Sequence, residues 1–316
     1  MYILGLDIGF GDVKVCLGDS NGDIVKKFKF PSLIGITKAI ENVENNRIKE
    51  FDGNYYMVGN YAEHLPSVNL IDISEYKNLE YYAPLLLQHA VDICGVDPEI
   101  IVTGLSIAQI QNSGYFQQRI ENYTINGKTY NRKIFVLPQG AGCKLTVDKF
   151  GANFPKPQTE FMGDKNYIIL DIGFNTLDSL MISNGKTDPN LFEGVEKEGI
   201  MKIASKVAKM IYEKHKRQLT LHEAKEILDT NTYKLRGQRY DYSEDIKAIK
   251  DEYLKELLKF IEQKYPGFLD KCDFIFIAGG GSRLFRTSLD KFIRVPKEAH
   301  EFYNAIGEFL FGLTKI

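Results

Sequence analysis

The sequence predicts an α/β protein built by internal duplication, and two observations carry this. The run Leu6-Asp7-Ile8-Gly9-Phe10 returns unchanged at Leu170-Asp171-Ile172-Gly173-Phe174. Each copy follows an apolar strand-like run (Tyr2-Ile3-Leu4; Tyr167-Ile168-Ile169) and leads into another (Val13 to Leu17; Leu177 to Ile182). The surrounding order also repeats: a strand hairpin, a further strand, helices, then a buried-type apolar strand.

In the first half, residues 2–8, 13–18 and 24–30 read as consecutive strands. They are joined by Gly9-Phe10-Gly11-Asp12 and by a turn holding Asn21-Gly22, a strong hairpin signal. Pro31 closes the meander. Residues 32 to about 75 are irregular, with short strands at 47–51 and 55–58, and read as a small inserted subdomain. Leu79, Tyr82, Ala83, Leu86, Leu87 and Ala90 recur at helical spacing, predicting a helix over 76–94. A buried-type strand follows at 100–105, then a polar helix at 107–123. A hairpin of 123–125 with 133–137 is expected around Asn126-Gly127, and a short helix to about 150 after Pro138-Gln139-Gly140-Ala141-Gly142. Gly151 to Gly163, with Pro155 and Pro157, is the expected linker.

In the second half, strands at 167–172 and 177–183 precede a turn at Asn184-Gly185 and a strand at 191–195. An amphipathic helix spans about 199–214. Thr220, with Glu223 three residues on, forms the pattern of a capping box opening a helix over 221–228. A polar hairpin turns at Gly237, a long helix runs over 245–264 to Pro266-Gly267, and Phe274 to Ala278 is a continuous apolar strand. Helices at 282–290 and 299–311 complete the chain.

At 316 residues the chain accommodates two domains or one large one. The formal net charge of −2 makes no electrostatic case for direct nucleic-acid binding or for an anionic membrane. Cys16, Cys94, Cys143 and Cys272 are scattered, without metal-ligand spacing, and read as reduced thiols, most of them filling core. No apolar run reaches transmembrane length. A cytoplasmic protein is expected.

The duplicated stretch has a specific chemistry: strand, carboxylate at the strand end, tight glycine turn, return strand. Without a Cβ the backbone can turn sharply and lay N–H groups against an anion. Asp7 and Asp171 are hard oxygen ligands suited to Mg²⁺, directly or through water. Two such hairpins facing each other would grip a polyphosphate–Mg²⁺ from both sides. For one copy alone an ordinary Asp-Gly β-turn competes evenly; two copies in matching strand contexts weigh against it. Lys14, two residues beyond the turn, points with the same face; its competing reading is a solvent-facing lysine on an edge strand. Asp178, seven residues after Asp171, is either a water-holding or basic group or a charge on an exposed strand face. Three consecutive glycines, Gly279, Gly280 and Gly281, before Ser282 exceed what a strand-to-helix turn needs, and let backbone pack on a flat ligand.

Paired Asp-Gly hairpins, Pro138-Gln139-Gly140 and Ala278-Gly279-Gly280-Gly281-Ser282 resemble the actin/Hsp70/sugar-kinase ATPase superfamily. Within it the chain most resembles the prokaryotic actin-like proteins of the plasmid-segregation (ParM) and archaeal actin type, over almost its whole length. The resemblance implies an actin-like (ribonuclease H-like) duplicated two-lobe α/β fold with nucleotide in the interlobe cleft. Lobe I would take 1–155, with an inserted subdomain at about 32–75 and a C-terminal helix at about 299–316 returning to it; lobe II would take 156–298, with a helical and hairpin subdomain at about 199–265. Asp7 and Asp171 would serve Mg²⁺. Gly9, Phe10, Gly11, Asp12 and Lys14, with Gly173, Phe174, Asn175 and Thr176, would bind the phosphates of ATP or GTP. Gly279, Gly280, Gly281 and Ser282 would form the adenosine loop. Gln139 would position the attacking water, with Asp171 and Asp178 on the other side. Asn304-Ala305-Ile306-Gly307, with Ala141 and Gly142 as counterpart, would let two helices cross and hinge. Close helix packing alone also explains these small residues.

There are departures. Asn175-Thr176 stands where some relatives have a glycine-rich turn, and no histidine lies near Gln139 in sequence. The implied function is an ATPase that assembles into a homopolymeric filament and disassembles after hydrolysis, moving plasmid DNA through an adaptor protein or serving as a cytoskeleton. A small-molecule kinase, with Asp178 or Asp12 as base, and a non-polymerising regulatory ATPase remain open alternatives. An Hsp70-type chaperone would carry a substrate-binding domain after residue 316, and is disfavoured on length.

Overall fold

Residues 1–38, 47–285, 292–298 and 300–316 are described by a computed structural model. The chain divides into two compact units, Met1–Gln158 with Lys297–Ile316, and Thr159–Pro296.

In the first unit β1 (Tyr2–Ile8), β2 (Asp12–Asp19) and β3 (Ile24–Pro31) form an antiparallel meander. β4 (Ile34–Thr37), β5 (Ile48–Phe51) and β6 (Asn54–Val58) make a separate small sheet in the order β4-β6-β5; β4 lies in the stretch the sequence left irregular. α1 (Tyr76–Cys94) follows, ending at Gly95 in the left-handed conformation that stops a helix without a Cβ penalty. β7 (Ile100–Leu105) is buried throughout and pairs parallel with β1.

The expected helix at 107–123 is not continuous. Ile107–Asn112 is a 3₁₀ turn, α2 covers Ser113–Glu121, and the chain then enters β8 (Asn122–Ile125). Tyr123 belongs to the strand because its ring stacks on Tyr130 at 5.1 Å and its hydroxyl donates to Gln88 at 2.9 Å. β8 pairs with β9 (Lys128–Asn131), not with 133–137 as expected. The cause is turn geometry: Asn126 and Gly127 both have positive φ (52° and 70°), giving a two-residue hairpin that consumes only the next four residues. That releases β10 (Ile134–Pro138) to pair parallel with β7 in the main sheet, whose order is β10-β7-β1-β2-β3. α3 (Ala141–Phe150) closes this part.

The second unit repeats the plan. β11 (Tyr167–Ile172), β12 (Thr176–Ser183) and β13 (Lys186–Glu196) form the meander. Then come α4 (Ile200–His215) and α5 (Leu221–Thr230). The capping box forms as expected: Glu223 N–H donates to Thr220 Oγ1 at 3.2 Å, and Thr220 N–H to Glu223 Oε2 at 2.7 Å. The hairpin of β14 (Thr232–Leu235) and β15 (Gln238–Asp241) leads into α6 (Ser243–Lys264). β16 (Phe274–Ala278) pairs parallel with β11, and β17 (Ile293–Arg294) with β16. The order β17-β16-β11-β12-β13 matches β10-β7-β1-β2-β3 element for element, so the duplication extends from sequence to sheet topology. Of the helix expected at 282–290, Gly280–Phe285 is 3₁₀ and 286–290 lie outside the described residues. α7 (Tyr303–Leu313) belongs to the first unit, preceded by a 3₁₀ turn at His300–Phe302.

Two cores result. In the first unit, one face of α1 (Leu79, Ala83, Leu86, Leu87, Ala90) packs with Leu4, Leu6, Val13 and Val15 of the sheet. In the second, Ile203, Val207 and Ile211 of α4 and Tyr253, Leu257 and Ile261 of α6 join Ile168, Leu170 and Ile275. Cys16 and Cys143 are buried, Cys94 and Cys272 half-buried, and all four are free thiols. Among the described residues no helix is long and apolar enough to cross a membrane.

α7 approaches its neighbours at backbone distance. A Cβ on Gly307 would lie 1.7 Å from the Gly142 carbonyl oxygen, and one on Gly5 would lie 1.9 Å from the Ala305 carbonyl oxygen. Backbone cannot yield as a flexible side chain would. Gly307→Ala is therefore expected to cost roughly 3 kcal/mol or to prevent folding, read as a lower urea midpoint. Gly114→Ala, in α2 with nothing within 4 Å of the added carbon, is expected to be neutral or slightly stabilising.

His89, buried between Phe30 (4.8 Å) and Tyr61 (5.6 Å), is pushed down to about 4 by burial and by Lys49, against the opposing pull of Asp92. Unfolded, it takes a proton near pH 6.5. Its contribution is complete above that pH and is lost as the pH falls toward 4, by roughly 3 kcal/mol. The wild-type stability advantage over His89→Gln should shrink by that amount between pH 7 and pH 4 in urea titrations.

Candidate functional site

In the first unit the sequence-predicted groups converge on Asp7. This buried carboxylate stands opposite Lys14 in the β1–β2 register, and their charged atoms lie 3.5 Å apart. Gln139, the residue after β10, donates Nε2–H to Asp7 Oδ1 at 2.9 Å. β1, β2 and β10 share one sheet, so Gln139 is brought from far along the chain to the Asp7–Lys14 pair of the first hairpin.

The turn after β1 is fixed by a residue the sequence reading missed. Ser32 is buried; its hydroxyl donates to the Gly9 carbonyl at 2.6 Å and its N–H to the Gly11 carbonyl at 3.0 Å. A trans peptide points its N–H opposite its C=O. The N–H groups of Phe10 and Asp12 therefore point away from Ser32, while the Gly9 N–H closes the turn on the Asp12 carbonyl at 3.3 Å. The Phe10 ring packs on the first-unit core. The Asp12 carboxylate lies 3.6 Å from Lys29, which also bonds Glu301 at 2.7 Å. Glu308, buried on α7, is close behind Gln139: a Cβ on Gly104 would be 2.6 Å from Glu308 Oε1 and 3.1 Å from Gln139 Cγ. Nothing local in the sequence marks Ser32, Lys29 or Glu308, since each acts across more than fifteen residues.

In the second unit the equivalent turn is held by the start of α4. Gly199, Ile200 and Met201 donate their N–H groups to the carbonyls of Asn175 (3.3 Å), Gly173 (3.0 Å) and Phe174 (2.8 Å). By the same planarity, the N–H groups of Phe174, Asn175 and Thr176 point away from α4. The Gly173 N–H closes the turn on the Thr176 carbonyl at 2.9 Å. Phe174 packs on the second-unit core, with Lys225 Nζ 5.8 Å from its ring centre. Asn175 and Thr176 are buried.

Asp171 faces Asp178 across β11 and β12, as Asp7 faces Lys14, so the cation of the first copy is replaced by a carboxylate in the second. Asp171 is 5 % and Asp178 1 % exposed; Asp178 is not on an exposed strand face. The glycine loop is built against the same carboxylate. Gly279 has φ +78°, and a Cβ there would be 2.3 Å from Asp171 Oδ1. A Cβ on Gly281 would strike Ile172 Cγ2 at 2.4 Å, whereas Gly280 has only Ile200 Cδ1 nearby, at 3.9 Å. Ser282 is buried and donates both its hydroxyl (2.8 Å) and its N–H (3.1 Å) to the Gly279 carbonyl. Asp171, Asp178, Gly173 to Thr176 and Gly279 to Ser282 thus form one cluster at the ends of β11 and β16.

Each unit therefore presents an aspartate at a strand end beside outward-turned backbone N–H groups, a combination suited to an anion accompanied by a hard cation. Among the described residues no three histidine, cysteine, aspartate or glutamate side chains converge as a metal cage. Mg²⁺ does not need one, because it takes one or two carboxylates beside phosphate oxygens and water. Facing carboxylates such as Asp171 and Asp178 repel and are eased by a nearby cation. The donor set fits that ion.

Family comparison separates the same two halves. Residues 5–142 match the N-terminal domain of actin-like proteins, and residues 169–291 match the C-terminal domain of the archaeal actin homologue MreB-like family. The chain belongs to the actin-like proteins. No curated protein matches it. Among solved structures, the archaeal actin homologue Ta0583 superposes on this actin-like chain with TM-score 0.76 at 21% identity, covering 98% of this chain and 99% of that one. The ADP complex of Ta0583 gives 0.73 at 19% identity, with the same coverage. A 15-stranded ParM filament from Clostridium botulinum gives 0.73 at 19% identity, covering 99% of each chain. At these identities what is shared is the actin-like two-lobe α/β fold.

Gly199 is the position on which the second turn rests. A Cβ there would meet three carbonyl oxygens, of Gly173 (2.5 Å), Phe174 (2.8 Å) and Thr176 (2.9 Å). Gly199→Ala should cost roughly 2 kcal/mol, while Gly280→Ala should stay within about 0.5 kcal/mol of wild type, both read from chemical denaturation.

Proposed function

We propose that this actin-like protein binds and hydrolyses ATP with Mg²⁺ and assembles into a dynamic filament. The observation that carries the reading is the Gln139–Asp7 hydrogen bond of 2.9 Å beside Lys14. It joins a neutral amide, a strand-end carboxylate and a cation next to the outward N–H groups of the Gly9–Asp12 turn. Solved structures with this fold add support: Ta0583 in complex with ADP, a Bacillus thuringiensis ParM with AMPPNP, and the C. botulinum ParM as a filament.

In this reading the N–H groups of Phe10 and Asp12, and those of Phe174, Asn175 and Thr176, receive the phosphate oxygens, and Lys14 adds a charge-assisted donor. The backbone of Gly279 to Ser282 takes the nucleoside. Asp7 and Asp171 are the carboxylates for Mg²⁺, which when bound would neutralise charge developing on the transferred phosphoryl group. The Gln139 amide orients the attacking water without taking its proton, which suits a loose phosphoryl-transfer transition state. Asp178, buried opposite Asp171, would in this reading hold a water or accept a proton. The filament would carry plasmid DNA through an adaptor or serve as a cytoskeletal element.

Right-angle light scattering after ATP–Mg²⁺ addition, recorded with phosphate release, tests this. Scattering should rise and then decay as phosphate appears. Asp171→Ala and Gln139→Ala should release phosphate about 100-fold more slowly and delay the decay. Phosphate release with flat scattering would remove the filament and leave a soluble ATPase or kinase. No release and no scattering change would remove both.

A further inference from the structure

Gly140 precedes α3 as its N-cap residue, with φ +89°. A helix start normally takes an oxygen from the side chain at that position, which accepts the N–H three residues on. Glycine has no such oxygen, and the φ it adopts here disfavours the residues that do. Asn304, on the first turn of α7 and 5 % exposed, supplies the missing group from another helix. Its Oδ1 accepts the Gly140 N–H and the Cys143 N–H, each at 3.1 Å. Two donors converging on one atom require the amide oxygen there, which settles the orientation of the side chain.

This cap adjoins the candidate catalytic amide. Gln139 is held on its other side by its own N–H, which donates to the Leu105 carbonyl at 2.8 Å. The chain around Gln139 is thus pinned by β7 before it and by Asn304 after it. We propose that Asn304 is a positioning residue for hydrolysis: by capping α3 in trans it sets the Pro138-Gln139-Gly140 turn so that the Gln139 amide meets Asp7 and the attacking water. This rests on the reading that Gln139 orients that water.

The test combines steady-state phosphate release, affinity for a fluorescent ATP analogue and thermal melting. Asn304→Ser, whose hydroxyl cannot reach both N–H groups, should lower kcat about tenfold, since displacement of a positioned group by a fraction of an ångström is costly. Nucleotide affinity should stay within about twofold, because the phosphate-binding turns are built elsewhere. Asn304→Asp keeps an acceptor oxygen on the same arm and should return kcat to within about threefold of wild type. Adding Asn304→Ser to Gln139→Ala should slow the enzyme no further. Should Asn304→Ser not fold, Asn304→Gln, with a misplaced acceptor, takes its place. A wild-type kcat in Asn304→Ser, or an undiminished tenfold loss in the Gln139→Ala background, would overturn the proposal while leaving hydrolysis standing. A wild-type chain that releases no phosphate, or Gln139→Ala at the wild-type rate, would overturn the underlying reading and the proposal with it.

Discussion

The crossing of α3 and α7 at Gly142 and Gly307 is the constraint on which the first unit depends. With no Cβ on either residue, the backbones meet at a distance that any side chain would forbid. The same helix lies on β1 at Gly5 and receives the Thr146 hydroxyl at the Tyr303 carbonyl, 2.6 Å away. Closeness has a chemical consequence as well as a steric one. Only at this separation can the short side chain of Asn304 reach the N–H groups that open α3. Small residues and an amide therefore act together, the former allowing contact and the latter using it to set the Gln139 turn.

A second regularity concerns how the duplicated turns are oriented. In both units the turn carbonyls are taken up by donors from behind, by Ser32 in one and by the first residues of α4 in the other. Peptide planarity then leaves the N–H groups on the opposite side. The two solutions share nothing in sequence, yet both turn donors outward beside a buried aspartate. Charge is handled differently. Asp7 is offset by Lys14, while Asp171 faces another carboxylate.

Local sequence made much of this legible. The Asp-Gly repeats, their flanking strands, α1 and the Thr220 capping box follow from patterns spanning a few residues, and the structure has them in place. The structure departs from the local pattern where short-range signals are ambiguous. The stretch at 107–123 was periodic enough for a helix, but Tyr123 is drawn into β8 by Tyr130 and Gln88. Sequence places 133–137 in the nearest hairpin, whereas Ile134–Pro138 pairs parallel with β7, because local turns are visible in sequence and parallel partners are not.

The sequence by itself determined the α/β class, the duplication and the carboxylates and glycines that make each turn chemically capable, because these depend on residue type and close spacing. Only the tertiary structure decided that Gln139 meets Asp7, that Ser32 and Gly199 orient the turns, that Asp178 is buried, and that Asn304 caps a helix 160 or so residues away. Those relations arise from parallel strand pairing and from helix packing at backbone contact, where partners are chosen by three-dimensional fit and their separation along the chain carries no signal.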